Sequence, residues 1–190
     1  MFGYTTLNDF HKRQSRDLNR RGIVSVCLCL SLLITLLPAS GLQVMADTPV
    51  SIYTAQDLAA MKNNPSGSYS LEADIDMTGV DWIPFSFSGR LEGNGHAIVN
   101  LTISRLGEDT AETVDGNNKV YDTRFSGLFS TLKGAEVADL QLLGLNVSIV
   151  TDEHCFIGGI AGFMEDSVIA GCSVTDARLD LTTGGVMVGI

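Results

Sequence analysis

Three aspartates that lie close together are the residues best suited to chemistry. Asp74 and Asp76 are two positions apart, and Asp81 follows a Thr-Gly turn. In a strand, alternate side chains share a face, so Asp74 and Asp76 are expected side by side. Closely spaced carboxylate oxygens are the ligands that Ca²⁺ prefers, which makes Asp74, Asp76 and Asp81 calcium candidates. Their spacing matches neither an EF-hand loop nor a glycine-rich nonapeptide, so a solvated strand face is the favoured interpretation.

The histidines give no second site. His154 adjoins Glu153 and Cys155, but one local cluster offers too few ligands for a metal, which favours a solvated loop. His96 follows the turn sequence Gly93-Asn94-Gly95, and no nucleophile is recognisable as its partner. We therefore predict no catalytic residue.

The cysteines and the glycine runs have structural explanations. Cys155 and Cys172 could form a disulfide in an exported protein, or could remain as small buried thiols, and both alternatives stay open. The run Gly158-Gly159-Ile160-Ala161-Gly162 lacks the order Gly-x-Gly-x-x-Gly and the helix that a nucleotide loop requires. We predict no cofactor, calcium being the one candidate.

A predicted helix precedes the aspartates, and a predicted strand contains two of them. Thr54 followed by Asp57 is typical of a helix start, and we predict a short helix over residues 54–63. From Tyr69 to Met77, apolar and polar residues alternate, which predicts one half-buried strand whose carboxylates face water.

The rest of the chain contains an internal repeat. A motif ending in glycine recurs as Phe87-Ser88-Gly89, Phe125-Ser126-Gly127 and, more loosely, Ile157-Gly158-Gly159. The last two copies are 32 residues apart and the first two 38. The longer spacing contains a polar, acidic insertion at residues 107–124, which we predict to be a loop.

Aligned copies predict how the repeats stack. Asn100, Asp139 and Gly171 would occupy one corner, where small polar residues are favoured. Stacking gives repeats a shared core that no single repeat could form. Three apolar columns are predicted: Ile98, Val137 and Ile169; Leu101, Leu140 and Cys172; and Ile103, Leu142 and Val174.

These columns indicate an all-β fold, a right-handed parallel β-helix or similar β-solenoid, with the helix at 54–63 capping its first turn. An antiparallel sandwich of about seven strands is the alternative. A new repeat begins at Val188-Gly189-Ile190 without a cap, so we expect residues 47–190 to be a solenoid region truncated at its C-terminal end.

The N-terminal segment has the pattern of an export signal. Residues 1–22 are polar and basic, residues 23–37 are apolar, and small or aliphatic residues lead up to Ala46. This order predicts a secretory signal peptide over residues 1–46, with an uncleaved anchor as the alternative. The remaining 144 residues carry seven basic and 20 acidic side chains, a net charge of −13. That charge excludes the usual nucleic-acid surface and electrostatic attraction to anionic membranes.

Residues 50–190 resemble a known type of repeat region. The resemblance rests on four stretches: Ile52 to Met77, Trp82 to His96, Gly127-Leu128-Phe129-Ser130 and Gly158-Gly159-Ile160-Ala161-Gly162. They are similar to the GLUG-repeat β-solenoid regions of large secreted or wall-attached bacterial proteins. Such a region also precedes the catalytic part of zinc metallopeptidases that cleave immunoglobulin A1. The His-Glu-x-x-His motif of that peptidase family has no match here, so the resemblance implies no catalytic residue.

The leading functional hypothesis is a non-catalytic repeat segment of a secreted or cell-surface protein. It would act as a stalk or as an adhesive surface for a host or cell-surface protein or glycan, with no nucleic-acid partner and no membrane contact beyond the signal peptide. One alternative is the N-terminal region of an immunoglobulin A1-cleaving zinc metallopeptidase. Another is a polysaccharide-cleaving solenoid, which would need a basic or metal partner for the acid groups of its substrate, and Arg90 and Lys133 are too isolated in the sequence to indicate one.

Overall fold

The structure, a computed structural model, describes residues 48–183. The predicted signal peptide at 1–46 and the repeat start at 188–190 lie outside the described residues. Within them the fold is all-β, with one short helix. No helix among these residues has the length and apolar character needed to cross a membrane.

The helix begins where the sequence predicts. Helix α1 (Ala55–Ala60) continues into a 3₁₀ turn (Met61–Asn63). Thr54 and Asp57 form a reciprocal capping box, since the Asp57 N–H donates to the Thr54 hydroxyl and the Thr54 N–H donates to the Asp57 carboxylate. Leu58 and Met61 are fully buried, so this short helix is held by packing as well as by its cap.

Seventeen short strands make up the rest. They are β1 (Val50–Ile52), β2 (Ser68–Leu71), β3 (Ile75–Asp76), β4 (Arg90–Glu92), β5 (Ala97–Val99), β6 (Thr102–Ile103), β7 (Thr110–Val114), β8 (Val120–Ser126), β9 (Phe129–Lys133), β10 (Glu136–Ala138), β11 (Gln141–Leu143), β12 (Asn146–Thr151), β13 (His154–Ile157), β14 (Ala161–Glu165), β15 (Val168–Ala170), β16 (Ser173–Thr175) and β17 (Arg178–Thr183).

The strands form five small sheets with the orders β1-β2-β4-β10-β15, β3-β5-β11-β16, β6-β12-β17, β7-β8-β13 and β9-β14. All their pairs are parallel except β7 with β8. The antiparallel sandwich therefore does not fit the described residues. Neighbours within a sheet come from successive segments of the chain, and their inward side chains form one core.

The predicted apolar columns are confirmed between the second and third repeats. Val137 pairs with Ile169, and Leu142 pairs with Val174. The placement of the first repeat is wrong, because Ile98 pairs with Leu142 and not with Val137. Leu101 is displaced in the same way, since its carbonyl accepts a hydrogen bond from the Asn146 N–H. It therefore lies beside the segment that leads into Asn146 and not beside Leu140.

The error comes from the glycine-ended motif. Phe87 lies beside Leu132, whereas Phe125 pairs with Phe156. The copy at residues 87–89 thus occupies a different place in the fold from the other copies. A motif of one aromatic residue, one serine and one glycine is too short to define the register.

Left-handed residues mark the corners between strands, as small polar residues at a repeated position predict. Asp139 and Gly171 share one corner, as expected, but the third member is Asn94 and not Asn100. Asn100 belongs to a second corner. The two sets and their φ angles are Asn94 (51°), Asp139 (47°) and Gly171 (65°), then Asn100 (58°), Gly144 (68°) and Asp176 (52°).

Two further predictions need correction. The single strand expected from Tyr69 to Met77 is divided, since β2 and β3 belong to different sheets and the chain bends at residues 72–74. The inward alternation continues across the bend, which is why the sequence pattern looks like one strand. The insertion at 107–124 is not a loop, because most of it forms the β7–β8 hairpin. Its Thr, Val and Tyr residues favour strands despite its polarity.

Gly93 lies where two neighbouring segments approach closely. A Cβ at this position would overlap the Asp139 carbonyl oxygen and come within 2.5 Å of the Leu140 Cα. Because both atoms belong to the backbone, Gly93→Ala is expected to lower the free energy of unfolding by about 1–3 kcal/mol. Urea unfolding followed by circular dichroism measures the change.

The matched control is Gly116→Ala, since a Cβ there would meet no atom within 4 Å. It is expected to change the free energy of unfolding by less than about 0.5 kcal/mol. Equal losses in the two variants would contradict the close approach at Gly93.

Candidate functional site

The structure does not bring the three predicted calcium ligands together. Asp74 accepts hydrogen bonds from the Ala97 N–H (2.9 Å) and lies 3.2 Å from Nδ1 of His96. Asp81 forms an ion pair with Arg105, whose Nη2 donates to both carboxylate oxygens at 2.7 and 3.0 Å. Each carboxylate therefore binds a residue of the following segment. Among residues 48–183, no group of three or more acidic, histidine or cysteine side chains is arranged to hold a metal.

Asp76 likewise binds a residue of the following segment, at a corner between strands. Its Oδ1 accepts hydrogen bonds from the Thr78 hydroxyl at 2.7 Å, the Thr78 N–H at 3.0 Å and Nδ2 of Asn100 at 3.1 Å. The Thr78 hydroxyl, followed by Asn100 and the Thr78 amide, lowers the pKa of Asp76. The hydrogen bonds thus stabilise the ionised form and hold left-handed Asn100 against the preceding segment.

This geometry predicts a pH dependence. Since the folded pKa of Asp76 is below its unfolded value of about 3.9, its contribution to stability is present above that value and is lost as the pH falls through the folded pKa. The unfolding free energy should therefore decline less steeply below pH ~4 in Asp76→Asn than in the unchanged protein. Urea titrations at several pH values measure the slopes. Glu165→Gln, on distant strand β14, is the control, and equal slopes in Asp76→Asn and the unchanged protein would contradict the assignment.

The remaining histidine and the cysteines are structural. His154 packs against Tyr121 with ring centroids 3.7 Å apart and ring planes inclined by 36°, and its Nδ1 is buried without a hydrogen-bond partner among the described residues. Cys155 is buried and Cys172 partly buried, and both thiols are free. Burial raises the pKa of each thiol. Of the two alternatives for these cysteines, the structure has the unpaired one.

A concave surface lies at the base of the inserted hairpin. We call it the hairpin-base cleft; it has a volume of about 310 Å³. A second cleft of about 280 Å³ adjoins it and shares Ile83 and Glu108. The charged residues that line the two are Lys62, Arg105, Glu108, Asp109, Arg124 and Glu153.

Arg124 organises this cleft. Its Nε and Nη2 donate to the Gly107 carbonyl at 2.9 and 2.6 Å, and Nη1 lies 3.3 Å from both carboxylate oxygens of Glu153. The Ser130 hydroxyl, on β9, donates to the Asp109 carboxylate and fixes the other side of the hairpin base. Both arginines of the cleft are thus already paired with carboxylates.

Sequence reasoning did not select these cleft residues. Arg105, Glu108, Arg124 and Glu153 are up to 48 positions apart, and no motif connects them. The insertion itself was the available signal, because insertions in repeat proteins often form binding loops on one face.

The hairpin projects two pairs of exposed side chains. Val114 lies opposite Val120, with 59% and 54% of their surfaces exposed. Glu112 lies opposite Asp122, and both are exposed. Like charges directly opposite one another destabilise a strand pair, so this hairpin is not optimised for its own stability.

Comparison with known proteins gives a distant similarity. No family model and no solved structure matches the chain. The chain is similar to Halomucin of Haloquadratum walsbyi (strain DSM 16790 / HBSQ001), with 25% identity over 160 residues. The match covers 74% of this chain and 2% of Halomucin. The chain thus spans about one fiftieth of a far longer relative.

Proposed function

We propose that residues 47–190 are a non-catalytic segment of a right-handed parallel β-helix in an exported protein, and that this segment is a stalk that presents a ligand-binding surface. The offset between paired strands supports the β-helix. Four strand pairs, β9 with β14, β10 with β15, β11 with β16 and β12 with β17, have the same offset of 32 residues. Parallel pairing at a constant offset is expected when successive coils contain the same number of residues.

The two ends of the stack differ. At the first end, α1 packs Leu58 against the core. At the other, Val174 and Leu179 are each 39% exposed, whereas their register partners Leu142 and Val147 are buried.

The hairpin is the observation that carries the ligand-binding role. It interrupts an otherwise regular set of parallel strands with an ordered, antiparallel insertion. Its exposed apolar and acidic pairs contribute to no core, and the hairpin-base cleft lies beside it. A protein or glycan at a cell surface is the class of ligand that we propose, consistent with the net charge of −13 that disfavours nucleic acid.

Localisation tests the proposal directly. The 190-residue chain is expressed in cells of its natural source. An antibody against the purified protein should label intact cells or detect the protein in the culture medium. Externally added protease should remove the cell-bound signal while a cytoplasmic marker stays intact. Detection of the protein only after lysis would contradict the proposal. A variant with Leu30→Arg and Leu33→Arg in the predicted signal should stay inside the cell.

A further inference from the structure

We propose that the free edge of β7 binds an extended segment of a partner protein, added as a further strand, in which a lysine or arginine faces Glu112 and an aliphatic residue two positions away faces Val114. This inference rests on the proposed function, since it names the partner class of the ligand-binding surface. Protein strands that add to an exposed sheet edge gain affinity from main-chain hydrogen bonds and specificity from alternate side chains.

The backbone of β7 supplies the docking edge. β7 is the last strand in the order β13-β8-β7, and it pairs with β8 from Thr110 to Val114. Its other edge pairs with no strand in the described part of the chain. Unpaired N–H and C=O groups along such an edge are a template for another strand. Four of its five residues are exposed, so an incoming segment meets no obstruction from their side chains.

The hairpin is already ordered for binding. Oδ1 of Asp115 accepts hydrogen bonds from the N–H groups of Asn117 (2.8 Å) and Lys119 (2.9 Å), and Oδ2 accepts one from the Tyr121 hydroxyl at 3.0 Å. These bonds lower the pKa of Asp115, with the Lys119 amide as the largest cause. A preformed turn reduces the entropy that binding must overcome.

The exposed side chains select the partner. Val114 and Val120 offer an aliphatic surface, and Glu112 and Asp122 form a like-charged pair on the same face, since alternate residues of a strand share a face. Neither carboxylate takes part in an ion pair within residues 48–183. Neighbouring strands lie about 4.8 Å apart, so a lysine opposite Glu112 would contact it while also sensing the field of Asp122.

Charge also argues against a second copy of this chain as the occupant. Two copies would bring two acidic hairpins together, each part of a segment with a net charge of −13. Like-charge contact across an interface disfavours that pairing. The complementary partner is therefore a different protein with a basic, aliphatic strand.

The probe is a synthetic peptide, Thr-Val-Thr-Lys-Thr-Val-Thr with blocked ends, which places its two valines and its lysine on one face in either strand direction. The comparison peptide carries glutamate in place of lysine. Both are titrated into the 190-residue protein at low salt and followed by fluorescence polarisation and by backbone amide NMR. The lysine peptide should bind about three- to tenfold more tightly, and the amides of residues 110–114 should shift most.

The variants separate the contribution of the acidic side chains from that of the backbone edge of β7. Glu112→Gln combined with Asp122→Asn should remove the preference for the lysine peptide, whereas Glu165→Gln, which removes one negative charge on β14, should keep it. Equal affinity for both peptides, amide shifts elsewhere, or an unchanged preference in the double variant would overturn the inference. So would dimerisation through the hairpin in analytical ultracentrifugation.

The relative affinities of the two peptides and the positions of the amide shifts are measured on the unmodified protein. Poor folding of a variant therefore does not leave the inference untested. Failure of peptide binding with a surface-exposed protein removes only this inference. Peptide binding by a protein that stays inside the cell removes the proposed function instead.

Discussion

Leu142→Ala is expected to lower the free energy of unfolding by about 2–5 kcal/mol. Leu142 is fully buried and pairs in register with Ile98 on one side and Val174 on the other. The truncation would remove one side chain from the middle of a continuous apolar column and leave a cavity. A domain of this size has a total stability of about 5–15 kcal/mol, so the loss would be a large fraction of it.

The next residue provides a matched control. Leu143 faces the opposite side of β11 and is 40% exposed. Leu143→Ala should therefore cost much less, about 0.5–1 kcal/mol. Guanidinium unfolding followed by circular dichroism gives both values. Similar losses in the two variants would mean that Leu142 does not face a shared core, and the stacked arrangement would fail with it.

Trp82→Ala is expected to lower the free energy of unfolding by about 3–5 kcal/mol. Trp82 is 3% exposed and packs on Phe85 with ring centroids 5.8 Å apart. Its Nε1 donates to the Leu128 carbonyl at 2.9 Å, a contact that spans 46 positions of sequence. The substitution would remove a large apolar side chain and leave that buried carbonyl without its indole donor.

Two further variants divide the effect. Trp82→Phe keeps an aromatic ring and loses the hydrogen bond, so its cost should fall to about 1–3 kcal/mol. Tyr53→Ala, at a residue that is 59% exposed, should change stability by less than about 0.5 kcal/mol. Circular dichroism is the measurement, because Trp82 is the one tryptophan of the chain and its fluorescence disappears in two of the variants. A Trp82→Ala variant as stable as Tyr53→Ala would contradict the anchoring role.

Local patterns predicted the features that depend on neighbours in sequence. The capping box of Thr54 and Asp57 involves residues three apart, so the start of α1 was readable from side-chain types. The alternation from Tyr69 to Met77 identified the correct inward residues. It failed to show the bend at residues 72–74, because a chain can change sheets without changing which side chains face the core.

The candidate site was beyond such patterns. The calcium interpretation of Asp74, Asp76 and Asp81 assumed that nearby residues would face each other. Each carboxylate is instead bound by a residue 22–24 positions later, on the adjacent segment. The hairpin was likewise taken for a loop, because its polar composition resembles a loop although its Thr, Val and Tyr residues favour strands.

By itself, the sequence determined that residues 48–183 are mostly β structure, with an excess of acidic residues, a short capped helix and alternating apolar side chains that face a shared core. Those properties follow from composition, periodicity and spacing, each of which is local or regular along the chain. The tertiary structure alone decided which strand lies beside which, where the corners align and which carboxylates are satisfied. Register depends on the free energy of the whole stack, and a few apolar residues of similar size fit several alignments until backbone hydrogen bonds and close glycine contacts select one.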